Sequence, residues 1–386
     1  SEMCIRDSLM PIAMQVILAI DSFKGCLTSS EIEGLFSKIW REKGVETVAL
    51  PMSDGGEGML EAFTAALQGQ YVTACVQDPL GRKTMARYSI TPDGTAVIET
   101  AQACGLALMS EQERNPVKAT TYGVGELVVD AVRHGCRKFI IGLGGSGTSD
   151  AGRGMLHALA EQLTDSGKIE DLVHCAGLKG CQFMLASDVR NPLYGPEGAA
   201  RVFGPQKGAT PEMVELLDRQ AREFAAFSSE LLGKDNAFTP GAGAAGGLGY
   251  AFIQYLQATV QSGADLLLDW IGFDEIIRNA AVIITGEGHA DRQSLMGKLP
   301  ERVLQRAQKH AVPVWLVAGQ VSDSEILERA GFQRVDSLTP EGMEIAEAVR
   351  PQTVERNIRN WVAQRTSQLD GLLAQVRIGK DGGADE

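Results

Sequence analysis

Short apolar runs alternate with segments of helical periodicity at both ends of the chain. Near its start, "QVILAI" and "TVALPM" are typical of buried strands, while "SSEIEGLFSKIWREKG" and "GMLEAFTAALQG" place their apolar residues on one helical face. The alternation returns near the end, with strands predicted at 281–286, 313–319 and 334–338, and helices at 298–310, 324–330 and 353–376. This pattern predicts a doubly wound parallel sheet, with the ligand crevice at the carboxyl ends of the strands.

The pattern changes between these two stretches. From residue 71, apolar and polar positions alternate around a Pro-Asp-Gly turn, which indicates antiparallel strands; helices and glycine-rich loops follow. We therefore predict a discontinuous domain from residues 14–70 and 279–386, and an inserted α/β domain at 71–278. Such an insertion would place the active cleft between the two domains. Residues 1–13 fit no element, and we interpret them as foreign or wrongly assigned sequence ahead of a native start at Met14.

Composition and charge narrow the range of partners. The 386 residues carry 36 basic and 49 acidic side chains, a net charge of −13, which argues against nucleic acid or an anionic membrane as the main partner. No apolar run reaches the length of ~18 residues that a membrane-spanning helix needs. The seven cysteines form no Cys-x-x-Cys pair and the five histidines are dispersed, which favours a reducing cytoplasm and argues against a zinc site.

A glycine cluster follows the apolar run at 139–141. Gly142, Gly144 and Gly147 have the spacing of a dinucleotide-binding fingerprint, and a second match runs from Gly241 to Gly246. The chain has 44 glycines, so chance matches are expected. On spacing alone, the first cluster suits a dinucleotide, the phosphates of ATP or a tight turn.

Several loops combine glycine, carboxylates and basic residues: "DSFKG", "SDGGEG", "LASDVRNPLYG", "RVFGPQKGA" and "TGEGHAD". Phosphoryl transfer needs this mixture, because backbone N–H groups and cations hold phosphate oxygens, carboxylates hold Mg²⁺, and one carboxylate can accept a hydroxyl proton. Hydride transfer would need few of these carboxylates. The sequence has no Walker A loop, no Gly-x-Ser-x-Gly elbow with a suitable histidine, no His-Glu-x-x-His and no protein-kinase signature.

Seven blocks follow one another from about Met14 onward: "DSFKGCLTSSE", "MSDGGEGMLEAF", "TYGVGEL", "IIGLGGSGTSDAGRGML", "ASDVRNPLYGPEGAARVFGPQKGA", "PGAGAAGGLGYA" and "ITGEGHADRQSLMGKLP". With these blocks the chain resembles the bacterial-type glycerate kinases over nearly its whole length. The resemblance implies ATP-dependent phosphorylation of D-glycerate by a flavodoxin-like domain that a second α/β domain interrupts. It also implies that "GLGGSGTSD" holds phosphate and not a dinucleotide.

The resemblance and the loop chemistry together select candidate site residues. The candidate catalytic residues are Asp21, Lys24 and Asp188, with Asp188 either a general base or a Mg²⁺ ligand. The residues expected to bind D-glycerate are Ser22, Lys24, Asp54, Arg190 and Lys207. The residues expected to bind ATP are Gly144, Gly145, Ser146, Gly147, Thr148, Gly243, Gly246, Gly247 and Glu287. The candidate Mg²⁺ ligands are Asp54, Asp188 and Asp291.

Two departures from the family pattern fall in these loops. Ser149 and Arg153 stand where asparagine and a small residue are usual, beside the predicted phosphate loop. His289 and Ala290 replace an arginine and an apolar residue, which removes a permanent positive charge near Glu287.

The sequence leaves alternatives open for the reaction product, the function and the oligomeric state. If Lys24 or a neighbouring cation anchors the carboxylate of D-glycerate, the C2 hydroxyl is closer to that anchor than the C3 hydroxyl, so we expect 2-phosphoglycerate, with 3-phosphoglycerate as the alternative. A dinucleotide-dependent oxidoreductase and a non-catalytic binding protein are the competing functions. The oligomeric state is open, with a homodimer as one option.

Overall fold

The structure, a computed structural model, describes residues 15–23, 26–53, 56 and 58–381, with side chains as far as residue 373. Within them the strands are β1 (Gln15–Ile20), β2 (Thr47–Ala49), β3 (Gln70–Gln77), β4 (Lys83–Ile90), β5 (Thr95–Glu99), β6 (Lys138–Gly142), β7 (Gln182–Ala186), β8 (Thr259–Gln261), β9 (Ala280–Ala290), β10 (Val314–Val321) and β11 (Arg334–Ser337). The helices are α1 (Ser29–Arg41), α2 (Met59–Ala66), α3 (Ala101–Cys104), α4 (Tyr122–Arg133), α5 (Arg153–Leu163), α6 (Ala199–Phe203), α7 (Pro211–Leu232), α8 (Ala244–Leu256), α9 (Gly263–Trp270), α10 (Phe273–Ile277), α11 (Leu299–Lys309), α12 (Ser324–Ala330), α13 (Ile345–Ala348) and α14 (Pro351–Asp381).

The chain divides into two compact units. The first takes the residues up to Ser53 and from Leu267 onward, and the second takes those between. The observed division lies ahead of the predicted boundaries at residues 70 and 279. Helix α2 belongs to the second unit because it packs on β4 and β5, where the N–H of Leu60 donates to the carboxylate of Glu99 at 3.1 Å.

The first unit contains a five-stranded sheet in the order β11-β10-β9-β1-β2, with every neighbouring pair parallel. Counted along the chain within this unit, the order is 2-1-3-4-5, which is the flavodoxin-like order. The central strands are apolar on both faces because helices cover both, as expected for a parallel sheet. One face packs on α1 and α14, where Phe36 and Trp40 meet Trp361 edge to face. The predicted doubly wound domain is confirmed.

The second unit contains a mixed sheet in the order β3-β4-β5-β6-β7-β8. Strands β3, β4 and β5 pair antiparallel, and β5 to β8 pair parallel. The predicted Pro-Asp-Gly turn joins β4 to β5, with the N–H of Thr91 donating to the carbonyl of Thr95 at 2.9 Å. Helices α4, α5 and α8 pack on this sheet around Phe139, Phe183 and Phe252. The prediction of a second, inserted α/β domain is also confirmed.

Among the described residues, no helix is both long enough and apolar enough to cross a membrane.

Candidate active site

The strand order of the first unit reverses between β1 and β9. In sheets of this kind, ligands bind at the carboxyl ends of the strands at that switch point. Ile20 pairs with Gly286, and the N–H of Asp21 donates to the carbonyl oxygen of Gly286 at 2.9 Å. The pairing therefore brings Asp21 and Ser22, which follow β1, beside Glu287 on β9. Three of the sequence-predicted residues meet at this edge, which we call the switch edge.

Only one of the two carboxylate oxygens of Glu287 has a hydrogen-bond partner among the described residues. The side chain is 8% exposed, and its Oε2 accepts a hydrogen bond from Nζ of Lys298 at 2.9 Å. Its Oε1 is buried, and so is the Oγ of Ser22; neither atom has a hydrogen-bond partner among the described residues. Buried polar atoms are rarely left without a partner, so two at one strand edge indicate a place for a ligand or water.

Two side chains of α1 form hydrogen bonds with the backbone near the switch edge. The Oγ of Ser29 donates to the carbonyl of Ile20 at 2.5 Å and accepts from the N–H of Met52 at 2.8 Å. Oε1 of Glu33 accepts from the N–H of Ile20 at 2.8 Å. Burial raises the pKa of Glu33 well above its ordinary value, which favours the protonated form. Sequence reasoning missed both supporting residues, although Glu33 stands three and seven residues before Phe36 and Trp40 on the apolar face of α1.

In the second unit, β6 and α5 are joined by residues 143–152, which we call the glycine loop. The loop is bonded to the segment after α3: the N–H of Gly147 donates to the carbonyl of Cys104 at 2.8 Å, and the N–H of Leu106 donates to that of Gly145 at 2.9 Å. A Cβ on Gly147 would lie 3.1 Å from the Cα of Leu106, so the two backbones are close together there. The loop therefore has little room to shift.

Lys207 lies underneath the glycine loop and not at its surface. The residue is 2% exposed, and its ammonium group donates to Oγ of Ser146 at 2.9 Å and to the carbonyl of Thr148 at 2.7 Å. Burial lowers the pKa of Lys207 to about 8, although Cys104 and Asp150 act in the opposite direction. The loop thus carries a buried cation that loses its charge as the pH rises through about 8.

Asp150 occupies the start of α5. Its carboxylate accepts from the N–H groups of Gly152 and Gly154, each at 3.0 Å, and from the N–H of Thr121 at 2.9 Å. The Oγ1 of Thr121 also donates to this carboxylate and accepts from the N–H of Met155. The first amides of α5 are therefore satisfied within the protein.

The amides on the outer turn of the glycine loop are different. The N–H groups of Gly144, Gly145 and Ser146 have no acceptor among the described residues. Successive N–H groups in a loop that contains a positive-φ residue, here Gly145 with φ 71°, form a concave site for an anion. The open amides therefore belong to the same loop as the two oxygens that accept from Lys207.

Gly243, Gly246 and Gly247 allow the start of α8 to pack closely on other backbone. A Cβ on Gly246 would lie 2.1 Å from the carbonyl oxygen of Thr148, and one on Gly243 would lie 2.3 Å from a carbonyl of the loop after β7. Gly246 has φ 67°, a left-handed conformation that side chains rarely adopt. Gly246 and Gly247 therefore pack against the glycine loop, whereas Gly243 packs against the loop after β7.

The other predicted residues are distributed along strand ends. Asp188 and Arg190 are exposed in the loop after β7. Asp291 begins a short 3-10 helix: its Oδ1 accepts from the N–H of Gln293 at 2.7 Å, and its own N–H donates to Oγ of Ser294 at 3.0 Å. The capping contacts explain Asp291 without a metal ion.

Lys24 and Asp54 lie outside the described residues, so the structure does not place them. Among the residues that it does place, no three His, Cys, Asp or Glu side chains come together in a way that could hold a metal ion.

The departures noted in the sequence have local explanations. The guanidinium of Arg153 lies over the ring of Phe224, 5.8 Å from its centre, and Ser149 is buried in the glycine loop. His289 is exposed and hydrogen-bonds Oγ of Ser322 through Nε2 at 3.0 Å.

These features define a two-domain α/β enzyme. Its flavodoxin-like unit has buried polar atoms without a partner in the described chain at the switch edge, and its second α/β unit has a glycine loop whose amides suit an anion. The model of the glycerate kinase family matches residues 16–369. The chain is 38% identical to the glycerate kinase of Bacillus subtilis (strain 168), covering 91% of this chain and 97% of that protein. It is 39% identical to the glycerate 2-kinase of Escherichia coli (strain K12), covering 84% of this chain and 90% of that protein.

A solved structure shows the same fold. It is the crystal structure of a protein of Salmonella typhimurium LT2 provisionally named glycerate kinase 2, with a TM-score of 0.77 and 32% identity, covering 96% of this chain and all of that one. The chain belongs to the glycerate kinase family, which confirms the resemblance seen in the sequence. A kinase family gives no support to the alternative of a dinucleotide-dependent oxidoreductase.

Proposed function

We propose that this enzyme transfers the γ-phosphoryl group of ATP to the C2 hydroxyl of D-glycerate and releases ADP and 2-phosphoglycerate. The observation that carries the proposal is the buried ammonium of Lys207 beneath a glycine loop with open amides. The name of the Escherichia coli relative, glycerate 2-kinase, supports the choice of C2.

The glycine loop has the chemistry that a phosphate group requires. Open N–H groups can donate to phosphate oxygens, and a cation below them compensates the negative charge. An approaching phosphate would also raise the pKa of Lys207 from its value of about 8 and favour the charged form. We therefore assign Gly144, Gly145 and Ser146 to phosphate contacts, and Lys207 to support of the loop.

Mg²⁺ fits this proposal without a dedicated protein cage. The ion commonly keeps several waters and is held by one or two carboxylates together with substrate phosphates. Asp188 is exposed after β7 and is our candidate ligand, with Asp54 as the second. When bound, Mg²⁺ would neutralise charge on the phosphates.

For the reacting groups we keep Asp21 and Asp188 as the candidate acceptors of the hydroxyl proton, and Lys24 and Arg190 as candidate cations for D-glycerate. Asp21 is buried at the end of β1, whereas Asp188 and Arg190 are exposed. A cytoplasmic location, a homodimer and a cleft between the two domains stay predictions.

The test couples purified enzyme, ATP, Mg²⁺ and D-glycerate to enolase without phosphoglycerate mutase. We expect ADP to form only when D-glycerate and Mg²⁺ are both present, and phosphoenolpyruvate to appear directly. Phosphoenolpyruvate that forms only after mutase is added would identify the C3 hydroxyl as the acceptor. Equal ADP formation without D-glycerate would refute the proposed activity.

A further inference from the structure

The Glu287–Lys298 pair places an acceptor and a cation next to each other at the switch edge. Nζ of Lys298 is 2.9 Å from Oε2 of Glu287, and the second oxygen of that carboxylate has no partner in the part of the chain that the structure describes. Lys298 is held in place by the start of α11, where the N–H of Gly297 donates to the carboxylate of Glu301 at 2.6 Å. Its side chain keeps 37% exposure, so the ammonium group can contact a ligand.

A ligand at this pair must supply one hydrogen-bond donor and one anionic group. The buried Oε1 of Glu287 requires a donor such as a hydroxyl group, since it would repel a phosphate or carboxylate. Lys298 has three N–H donors, of which Glu287 takes one, and the others suit a carboxylate. The unpartnered Oγ of Ser22, on the neighbouring strand end, can donate to or accept from a second hydroxyl.

The close spacing of the two groups selects the ligand class. In an α-hydroxy carboxylate, the hydroxyl and the carboxylate are on adjacent carbons and can meet both members of the pair at once. In a nucleotide, the ribose hydroxyls are several bonds from the nearest phosphate, so the same pair could not take both. We propose that Glu287 and Lys298 form the recognition pair for an α-hydroxy carboxylate substrate: Glu287 accepts from the C2 hydroxyl, and Lys298 binds the carboxylate.

This assignment rests on the proposed function for the identity of the acid. It moves Glu287 from the predicted contacts of ATP to those of the acceptor substrate, where Glu287 would replace Asp21 and Asp188 as the acceptor of the C2 hydroxyl proton. It also adds Lys298, which the sequence did not single out. With the C2 hydroxyl on Glu287, the C3 hydroxyl would face Ser22.

The test compares Lys298→Met and Glu287→Gln with two matched surface controls, Lys309→Met at the end of α11 and Glu325→Gln on α12. We expect Lys298→Met to raise the KM for D-glycerate by at least about tenfold, and Glu287→Gln to lower kcat/KM for D-glycerate by a similar factor, because each removes a charged hydrogen-bond partner. The KM for ATP should change less than about twofold in either variant, and the controls should match the parent enzyme.

Calorimetry on ATP-free enzyme gives a readout that does not depend on turnover. D-Glycerate and D-lactate should bind the parent enzyme and lose at least about tenfold in affinity with Lys298→Met, while 3-hydroxypropionate, which lacks the C2 hydroxyl, should bind weakly. Circular dichroism and thermal melting check that each variant folds.

Three outcomes would count against the proposed role of the Glu287–Lys298 pair or against the proposed function. If the variants raise the KM for ATP and leave that for D-glycerate unchanged, the pair binds the nucleotide and the inference is wrong. If folded variants leave both values unchanged, the pair is only structural and the inference is also wrong. If the parent enzyme forms no ADP with D-glycerate, the proposed function fails, and the calorimetric comparison of α-hydroxy acids alone then supports or refutes the pair.

Discussion

The switch edge of the first unit and the glycine loop of the second unit satisfy their polar groups in opposite ways. At the switch edge, the Oγ of Ser22 and one oxygen of Glu287 are buried without a partner among the described residues. In the glycine loop, Lys207 and Asp150 bind the chain on several sides, and the groups left without a partner in the described chain are three amides and the Oγ1 of Thr148. The loop is thus preorganised by internal bonds, whereas the switch edge has buried groups whose bonds only a ligand or water can complete.

This difference predicts which substitutions lower the stability of the enzyme and which lower its affinity for a ligand. Side chains of the glycine loop already bond the protein, so their loss should lower the free energy of unfolding. At the switch edge, the Oγ of Ser22 and Oε1 of Glu287 have no partner among the described residues, so the loss of these two atoms should affect binding and leave the free energy of unfolding almost unchanged. The following variants test this contrast.

Gly246→Ala should have the largest effect. A Cβ at this position would lie 2.1 Å from the carbonyl oxygen of Thr148, and the residue has φ 67°. We expect the free energy of unfolding, measured by urea denaturation, to fall by about 3 kcal/mol or more. Gly34→Ala is the control, since a Cβ there meets nothing within 4 Å in α1 and should stabilise by about 0.5–1 kcal/mol. An unchanged midpoint for Gly246→Ala would mean that the glycine loop is not tightly packed.

Asp150→Ala should have the second-largest effect, because it leaves the N–H groups of Gly152, Gly154 and Thr121 without their acceptor. We expect the free energy of unfolding to fall by about 2–3 kcal/mol. Asp150→Asn keeps an oxygen acceptor and should recover about half of that loss. Equal losses for both variants would show that the negative charge, and not the capping, carries the contribution.

Lys207 should make ATP use dependent on pH. Its pKa of about 8 lies below the ordinary value of 10.5, so the folded enzyme carries the charge below pH 8 and loses it above. We expect kcat/KM for ATP to fall as the pH rises through about 8, toward the level of Lys207→Met, which should be about tenfold lower than the parent and show no inflection there.

The sign for stability is the reverse. Between about pH 8 and 10.5 the unfolded chain holds a proton at Lys207 that the folded chain has released, so this group contributes more stability as the pH rises. An inflection near pH 8 that persists in Lys207→Met would assign it to another group.

Ser22→Ala should have the smallest effect, and only on binding. The Oγ of Ser22 has no partner among the residues that the structure places, so we expect the free energy of unfolding to change by less than about 0.5 kcal/mol while the KM for D-glycerate rises about fivefold. Ser29→Ala is the matched variant on α1: its Oγ makes two hydrogen bonds, and its loss should cost about 1–2 kcal/mol of stability. A large loss of stability in Ser22→Ala would remove the contrast between the two regions.

Much of the fold could be predicted because local patterns and tertiary packing agree. The predicted helix 298–310 is observed as α11, Leu299–Lys309, and the predicted strand 281–286 is the core of β9. Helix α2 was also predicted, but its assignment to the second unit depends on contacts with β4 and β5, which no local pattern encodes.

The sequence predicted which loops carry the candidate site, but not the contacts that their side chains make. Glycine and acid after several strands selected residues that the structure places at the switch edge and in the glycine loop. The spacing could not show that Lys207 is buried under the loop, that Asp291 caps a helix, or that Lys298 pairs with Glu287, because these side chains are set by elements distant in the chain.

The sequence by itself determined the alternation of strands and helices, the interruption by a second domain and the family, because these depend on periodicity and on ordered local blocks. Only the tertiary structure decided which polar groups are satisfied. Burial and hydrogen bonding depend on neighbours brought together by folding: Ile20 meets Glu33, Thr148 meets Lys207, and one oxygen of Glu287 meets no partner in the described chain. That physical difference separates the groups that hold this protein together from those that we propose bind its substrate.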